Sequence, residues 1–358
     1  MKLLALLGYP RQNGHTARMT QLFLKGAEAA GAEIQRVDLT TADIRPCRGC
    51  YSCWTKTPGQ CVQKDAMAPL LEAFLDSDLV LIASPIYAFS VSSYVKHFME
   101  RTLTILSPGV EIGSDGIERN RFRYPGRGPK RMAGLLLAGR KTPNIVQPSV
   151  DMLTLYAEEM RMKCSGILVR TESCALRFPQ AKPLRMKAII TGVERAGAEF
   201  VREKRISESL LQDVSCPLLV DLPHFERYSA IFWEHALEKH DECDAAGESA
   251  GEDVRILIYE MARYISPSAT RDIEARLQFD FSDRGWKFKL SILRGTCTIA
   301  EGEMEKPDLL IRCPASLWSA VVRRTLTGSQ LMAHPDLHLE GDRDLFRRLP
   351  RYFPLPTD

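Results

Sequence analysis

A chain of 358 residues with 45% apolar and 26% charged residues is ordinary globular protein, long enough for two domains with separate cores. Its net charge of +3 is too small to point to a polyanion partner, and no stretch approaches the ~20 apolar residues of a membrane-spanning helix. Ten cysteines, four of them between Cys47 and Cys61, suit a reducing compartment better than a disulfide-stapled secreted fold, so the expected location is the cytoplasm.

The opening apolar run stops at Gly8 without a small-residue cleavage site and reads as a buried strand rather than a secretory leader. It begins an alternation. Strands are expected at Lys2 to Gly8, Glu33 to Asp38, Leu79 to Ser84, Arg131 to Ala138 and Ser165 to Thr171, with helices near 15–30, 65–76, 91–105, 148–162 and 183–204. Runs such as Leu79-Val80-Leu81-Ile82-Ala83 lack polar alternation, as strands covered on both faces do. The fold class is therefore α/β, a doubly wound sheet of five parallel strands over residues 1–205. Ligands of such sheets sit at the carboxyl ends of the strands, beside the switch point between the first and third.

Two loops occupy that place. Gly8-Tyr9-Pro10-Arg11-Gln12-Asn13-Gly14-His15-Thr16 leaves the first strand and enters a helix, where backbone N–H groups, the side chains of Asn13, His15 and Thr16 and the charge of Arg11 suit one phosphate. A plain turn with a helix cap explains the same residues. The second loop, Ser84-Pro85-Ile86-Tyr87-Ala88-Phe89-Ser90, offers a flat apolar wall to a ring system, or else is a hydrophobic turn.

Between the second strand and the next helix, Cys47-x2-Cys50-x2-Cys53-x7-Cys61 has the spacing of an iron-sulfur ligand set. Three cysteines at every third position can face one cuboidal cluster, with Gly49 relieving the tight backbone. Zinc, which usually takes two separate pairs, and plain buried thiols are the alternatives. No catalytic acid, base or nucleophile is evident. His15 and His97 could donate protons, but helix capping and a solvated face account for them equally well.

Residues 119–131 hold six basic side chains beside Phe122 and Tyr124 and read as a loop before the fourth strand. One such loop in a nearly neutral protein does not argue for nucleic acid; a mobile basic loop, a contact with NADPH phosphates or a subunit contact fits better. A helix is expected from Glu226 to His240, and residues 241–253 carry six acidic residues and no basic one, which reads as a linker within a connection spanning 206–253. A smaller mixed α+β domain is expected over 254–358, with strands at Leu277 to Phe281, Trp286 to Leu293, Thr296 to Ala300 and Leu309 to Cys313 and a turn at Asp283-Arg284-Gly285. A helix from Ala315 to Thr325, a last strand at Leu337 to Asp342 and a short terminal helix complete it.

The run from Gly8 to Ala17, the cysteine segment ending in Lys64-Asp65-Ala66-Met67, and Ser84-Pro85-Ile86-Tyr87 with downstream Lys96 to Arg101 resemble the flavodoxin-like NADPH-dependent FMN reductase family, specifically its iron-sulfur flavoprotein branch. The resemblance covers about residues 1–205. It implies an FMN-dependent oxidoreductase with NAD(P)H or an electron carrier as donor, and possible passage of electrons through a 4Fe-4S cluster. By the same resemblance Pro10, Arg11, Asn13, Gly14, His15 and Thr16 hold the FMN phosphate; Pro85, Ile86, Tyr87, Ala88 and Phe89 flank the isoalloxazine; Ala138 and Gly139 close the ring site; and Cys47, Cys50, Cys53 and Cys61 bind the cluster. The chain departs from the pattern at Tyr9, where members commonly carry serine. A homo-oligomer is expected.

Gln278 to Phe281, Gly285-Trp286, Ala300 to Gly302, Pro307 to Leu309, Leu326 to Gly328 and Leu339 to Asp342 resemble the sterol-carrier-protein fold over about residues 254–350. The resemblance implies an apolar ligand, or alternatively a structural domain. The segment between Gly328 and Leu337 is short for that family, which bears on the helix that roofs the tunnel. The second function class to weigh is a redox-linked lipid-binding or electron-carrier protein without turnover of a small substrate; steady NADPH oxidation with a quinone or iron acceptor separates the two.

Overall fold

The computed structural model describes residues 1–113, 116–177, 183–219, 221–238, 253–322 and 325–354. The chain divides into two compact units, Met1–Leu176 with Arg185–Ser229, and Arg177–Leu184 with Ala230–Asp358. Of the acidic segment read as a linker, only Asp253 is among the described residues.

In the first unit the elements run β1 (Lys2–Leu7), α1 (His15–Ala29), β2 (Glu33–Asp38), α2 (Ser52–Thr55), α3 (Met67–Leu75), β3 (Leu79–Tyr87), β4 (Ser90–Val91), α4 (Ser93–Arg101), β5 (Leu106–Ile112), β6 (Glu118–Phe122), β7 (Arg131–Leu137), α5 (Gln147–Glu159), β8 (Lys163–Arg170), α6 (Pro183–Glu203) and α7 (Glu208–Ser215). The sheet order is β2-β1-β3-β7-β8, parallel throughout, with the short β4 folded back on β3. This is the flavodoxin-like order, with its switch point between β1 and β3. The continuous apolar runs are buried as that arrangement requires: Leu3, Ala5 and Leu6 in β1 and Val80, Leu81 and Ile82 in β3 are each fully enclosed.

Helix α1 turns Thr16, Ala17, Met19, Thr20, Phe23, Leu24, Gly26 and Ala27 inward, the three-and-four spacing of one helical face. Two glycines let its backbone touch that of α6. A Cβ on Gly26 would stand 1.8 Å from the carbonyl oxygen of Glu194, and one on Gly197 would stand 1.9 Å from that of Phe23.

One sequence expectation needs correction. Residues 119–122 are not loop but part of β6, paired antiparallel with β5. Charged residues at alternate positions hid the strand, because the arginines in it and just after it bond to neighbouring elements instead of showing an apolar face. Arg119 meets Glu158 at 3.4 Å, Arg123 donates to the Leu106 carbonyl at 3.1 Å, and Arg127 bridges Glu72 and Asp76 at 2.9 and 2.8 Å.

The helix α8 (Leu222–Glu238) follows, and then the second unit's α9 (Val254–Arg263), β9 (Glu274–Phe281), β10 (Trp286–Leu293), β11 (Thr296–Glu301), β12 (Leu309–Cys313), α10 (Ala315–Val322), α11 (Gly328–Met332), β13 (His338–Gly341) and α12 (Arg343–Tyr352). The sheet order is β11-β10-β9-β12-β13, antiparallel except where β12 joins β9 in parallel. Its core is aromatic: Phe279 stacks on Phe281 at 6.1 Å and meets Trp318 edge-on at 4.9 Å. Short though the 328–337 segment is, it holds a helix, started by a reciprocal cap between Thr327 and Gln330. Among the described residues no helix is long and apolar enough to cross a membrane.

Candidate functional site

The carboxyl ends of β1, β3 and β7 bring together the three segments singled out in the sequence. After β1, Gly8 is seated tightly, since a Cβ there would lie 2.3 Å from Val95 and 2.9 Å from the Ser92 hydroxyl. The loop then opens to solvent. Pro10, Arg11 and Asn13 are exposed, Gly14 and His15 half-buried and Thr16 buried. Gly14, the residue before α1, has extended geometry and no side chain caps the helix start. A fifteen-residue helix thus presents its first backbone N–H groups without the usual Ser, Thr or Asp oxygen, the arrangement that receives an anion. Gln12 ties the loop to the end of β2 by donating to Asp38 at 2.8 Å. Tyr9 turns inward, 5% exposed, where burial raises its phenol despite a hydrogen bond with Thr20. The residue replacing serine therefore serves the core rather than the loop's outer surface.

After β3 the strand runs three residues further than expected, through Tyr87, and the turn is only Ala88-Phe89. Both residues take left-handed backbone, φ 47° and 66°. A two-residue turn with positive φ at both positions ordinarily uses Asn-Gly, and non-glycine residues there carry strain of about 1–3 kcal/mol each. Surrounding bonds hold it: the Ser84 hydroxyl accepts from the Ser92 N–H at 2.9 Å, and Ser149 donates to the Phe89 carbonyl at 3.3 Å. The result is a rigid projection in which Pro85 is buried, Ile86 half-buried, and Tyr87, Ala88 and Phe89 exposed. Two large aromatic side chains held in solvent by a strained turn form a wall suited to a flat ring.

After β7, Ala138 is buried and Gly139 exposed, with open space where a Cβ would stand. A buried charge network fixes this loop. Lys141 meets Glu172 at 2.7 Å, and the other oxygen of Glu172 accepts from the Leu218 N–H at 2.8 Å and from Arg170 at 3.3 Å. Glu172 is fully buried and itself left-handed, φ 56°.

The four cysteines lie apart from these loops but face one another across one pocket, lined also by Arg48, Tyr51, Gln63, Arg101 and Thr104. Gly49 at φ 62° and Tyr51 at φ 53° wind the backbone around it, and the Gly49 N–H points at the Cys47 sulfur at 3.5 Å. The loop is pinned from outside: Trp54 donates to the Leu103 carbonyl at 2.9 Å and Gln63 to that of Pro46 at 3.0 Å. The thiols differ in acidity. Hydrogen bonds from the backbone and side chain of Ser52 lower Cys50, whereas burial and the neighbouring cysteines raise Cys53.

Among the described residues no three His, Cys, Asp or Glu groups converge as they would on a single metal ion. One tetrahedral ion bound at about 2.3 Å draws its thiolates to within about 4 Å of one another. Four thiols around one pocket, with backbone N–H groups beside them, are a donor set of the kind an iron-sulfur cluster takes.

Arg101 of this pocket and its partner Asp65 stood in the sequence only as parts of the motifs that carry the resemblance, with no role assigned to either. Arg101, 2% exposed, grips Asp65 through two bonds, Nη1 to Oδ2 at 2.7 Å and Nη2 to Oδ1 at 3.0 Å. Asp65 also accepts from the backbone N–H groups of Arg45 and Met67, so one carboxylate closes the whole cysteine loop. Burial works against its ionisation, but these bonds outweigh it and hold the carboxyl below its ordinary range.

Comparison with known proteins bears out both resemblances. Residues 1–110 match the NADPH-dependent FMN reductase family and residues 262–353 the SCP-2 sterol transfer family. An iron-sulfur flavoprotein of Archaeoglobus fulgidus is 38% identical over 103 residues, 29% of this chain and 46% of that protein. One from Methanocaldococcus jannaschii is 29% identical over 102 residues, 28% of this chain and 52% of its own length. The chain thus spans about half the length of these relatives. Among solved structures, an FMN-dependent NADH-azoreductase of Bacillus anthracis in complex with FMN is 17% identical with a TM-score of 0.44, over 56% of this chain and 99% of that one. The NAD(P)H:quinone oxidoreductase of Methanothermobacter marburgensis is 12% identical with a TM-score of 0.42, over 56% and 96%.

Proposed function

We propose that the first unit is an FMN-dependent oxidoreductase drawing electrons from NAD(P)H or an electron carrier and that Cys47, Cys50, Cys53 and Cys61 hold a 4Fe-4S cluster. The observation that carries the reading is the pairing, at the switch point, of an uncapped helix start with a strained aromatic turn on the neighbouring strand. Bound FMN would supply hydride and single-electron chemistry, which is why no protein acid, base or nucleophile is needed. The chain's own residues bind and orient. Arg11, Asn13, Gly14, His15 and Thr16 with the first N–H groups of α1 hold the phosphate; Pro10 shapes the approach. Pro85 to Phe89 form one wall for the ring, and Ala138 and Gly139 close its far side.

The cysteine pocket takes Glu100 and Arg101 from the carboxyl end of α4, whereas the aromatic turn precedes that helix. Nine residues of helix put about 13 Å between the two ends. Electron passage between the two sites therefore runs along α4 or across a boundary to a second molecule.

Thr16→Ala and Arg11→Ala are each expected to weaken FMN binding by about 1–3 kcal/mol, the loss of a charge-assisted bond to phosphate. Fluorescence titration of the deflavinated protein measures it, with riboflavin as the phosphate-free comparison. Unchanged affinity in both variants would refute the phosphate assignment.

For the second unit we propose an apolar ligand of fatty-acyl or sterol type, connected to the flavin unit through residues 206–253. The support is the match to the sterol transfer family together with a buried aromatic cluster, in which Trp318 lies edge-on to Phe279 and its Nε1–H has no partner among the described residues. An anthroyloxy fatty acid should bind with energy transfer from tryptophan, and Trp318→Phe should reduce that transfer markedly, leaving the share that comes from Trp286. Absence of binding to the full chain would leave the unit a structural partner.

A further inference from the structure

We infer that Arg101, held by Asp65, sets the reduction potential of the cluster bound by Cys47, Cys50, Cys53 and Cys61, by presenting its Nε–H and its positive charge to that pocket. The inference rests on the cluster reading above and concerns a residue that is not itself a ligand.

The guanidinium is almost completely enclosed, and the side chains of the pair are 1% and 0% exposed. Its two terminal nitrogens are satisfied: both bond Asp65, and Nη1 also donates to the Arg45 carbonyl at 2.7 Å. Nε is different. It is buried and has no hydrogen-bond partner among the described residues. A buried donor left unmade is costly and rare, and in a native protein calls for an acceptor that completes it. Arg101 lines the same pocket as the four cysteines. A guanidinium does not lose its proton in a protein, so the group is a permanent cation.

The spare donor, on the buried side, and the thiols therefore line one pocket. Reducing a cluster adds one electron and no other atom, so the reduced form carries one more negative charge than the oxidised form. A fixed cation beside it in low-dielectric surroundings favours the reduced form, and hydrogen bonds to cluster sulfur act in the same direction. Asp65 has the opposite sign, but its oxygens are turned to Arg101 and to two backbone N–H groups. The clamp orients the fork so that Nε remains for the pocket.

A purely architectural role predicts something else: Arg101 and Asp65 would close the cysteine loop and leave the potential untouched. The test is an anaerobic redox titration of full-length protein followed by electron paramagnetic resonance, after iron and sulfide assay. Because removing Arg101 alone strands a buried carboxylate, Asp65→Asn is compared with Asp65→Asn/Arg101→Met. Relative to Asp65→Asn, the double variant is expected to lose at least tenfold in the ratio of reduced to oxidised cluster at fixed potential, a downward shift of at least about 59 mV. Arg101→Lys, which keeps the charge but lacks Nε, is the second arm, for use also where the double variant fails to assemble. Its potential should fall below that of the wild type by less than the full effect. Unchanged potential in the double variant, or in Arg101→Lys if that is the variant that assembles, overturns the inference while the cluster reading stands. A wild type without iron and sulfide overturns the cluster reading and this inference with it.

Discussion

Protein purified without oxygen will carry about four iron and four sulfide per chain with about one FMN, and Cys50→Ser will remove the iron while leaving the flavin. Cys50 is the discriminating position. It is exposed, and the Ser52 bonds that lower its thiol already favour the thiolate a metal requires. Cys53 is the reverse case, raised by burial and by the other three cysteines, and a bound metal group would favour its thiolate. The flavin should survive the substitution because its loops follow β1, β3 and β7, whereas the cysteines lie between β2 and α3. Zinc without sulfide in the wild type would refute the cluster. Loss of FMN together with iron in Cys50→Ser would show that the cysteine loop forms part of the flavin site.

Much of this was legible before the structure. Unbroken apolar runs flanked by helical periodicity placed β1, β3 and β7, because a strand buried on both faces has no polar face to disguise it, while the edge strand β2 follows from its place in the alternation and the short β4 reads as loop. The four cysteines were legible because ligands close in sequence need only a loop to meet. What escaped notice shares one physical property, partnership across long separation. Strand β6 reads as charged loop until Arg119 finds Glu158 and the Asn120 N–H finds Glu159. Asp65 and Arg101 are separated by 36 positions and reveal nothing by spacing, yet they make the most enclosed ion pair of the cysteine region. The left-handed turn at Ala88-Phe89 is illegible for another reason. Neither residue prefers that conformation, so only the strand pairing and the bonds from Ser92 and Ser149 impose it. Sequence thus located the loops proposed to surround the flavin and left the strain within them to the fold.

Gly197→Ala will destabilise the first unit by about 3 kcal/mol or more, the upper end of the overpacking range. Glycine within a helix ordinarily costs about 1 kcal/mol relative to alanine, so by propensity alone the substitution should stabilise. Contact reverses the sign. The added carbon would lie 1.9 Å from the Phe23 oxygen and 2.8 Å from its carbonyl carbon, which are backbone atoms of α1 and cannot swing aside as a side-chain tip can. Gly26 makes the reciprocal approach to Glu194, so the helices touch at two points and cannot slide to relieve one without closing the other. The neighbouring Phe23–Phe200 ring contact at 6.0 Å and the Lys25–Glu194 bridge at 3.0 Å fix the same crossing. Helix α1 must then move outward as a body, carrying the Gly14 to Thr16 start with it. A fall in Tm of roughly 6–12 °C, read by circular dichroism, is expected for a unit of this size, accompanied by weaker FMN binding. Gly328→Ala is the control, since nothing lies within 4 Å of its Cβ position and its backbone is not left-handed. A Gly197→Ala protein that melts with the wild type would mean that α1 and α6 do not approach each other this closely, and that the phosphate loop is positioned by the sheet alone.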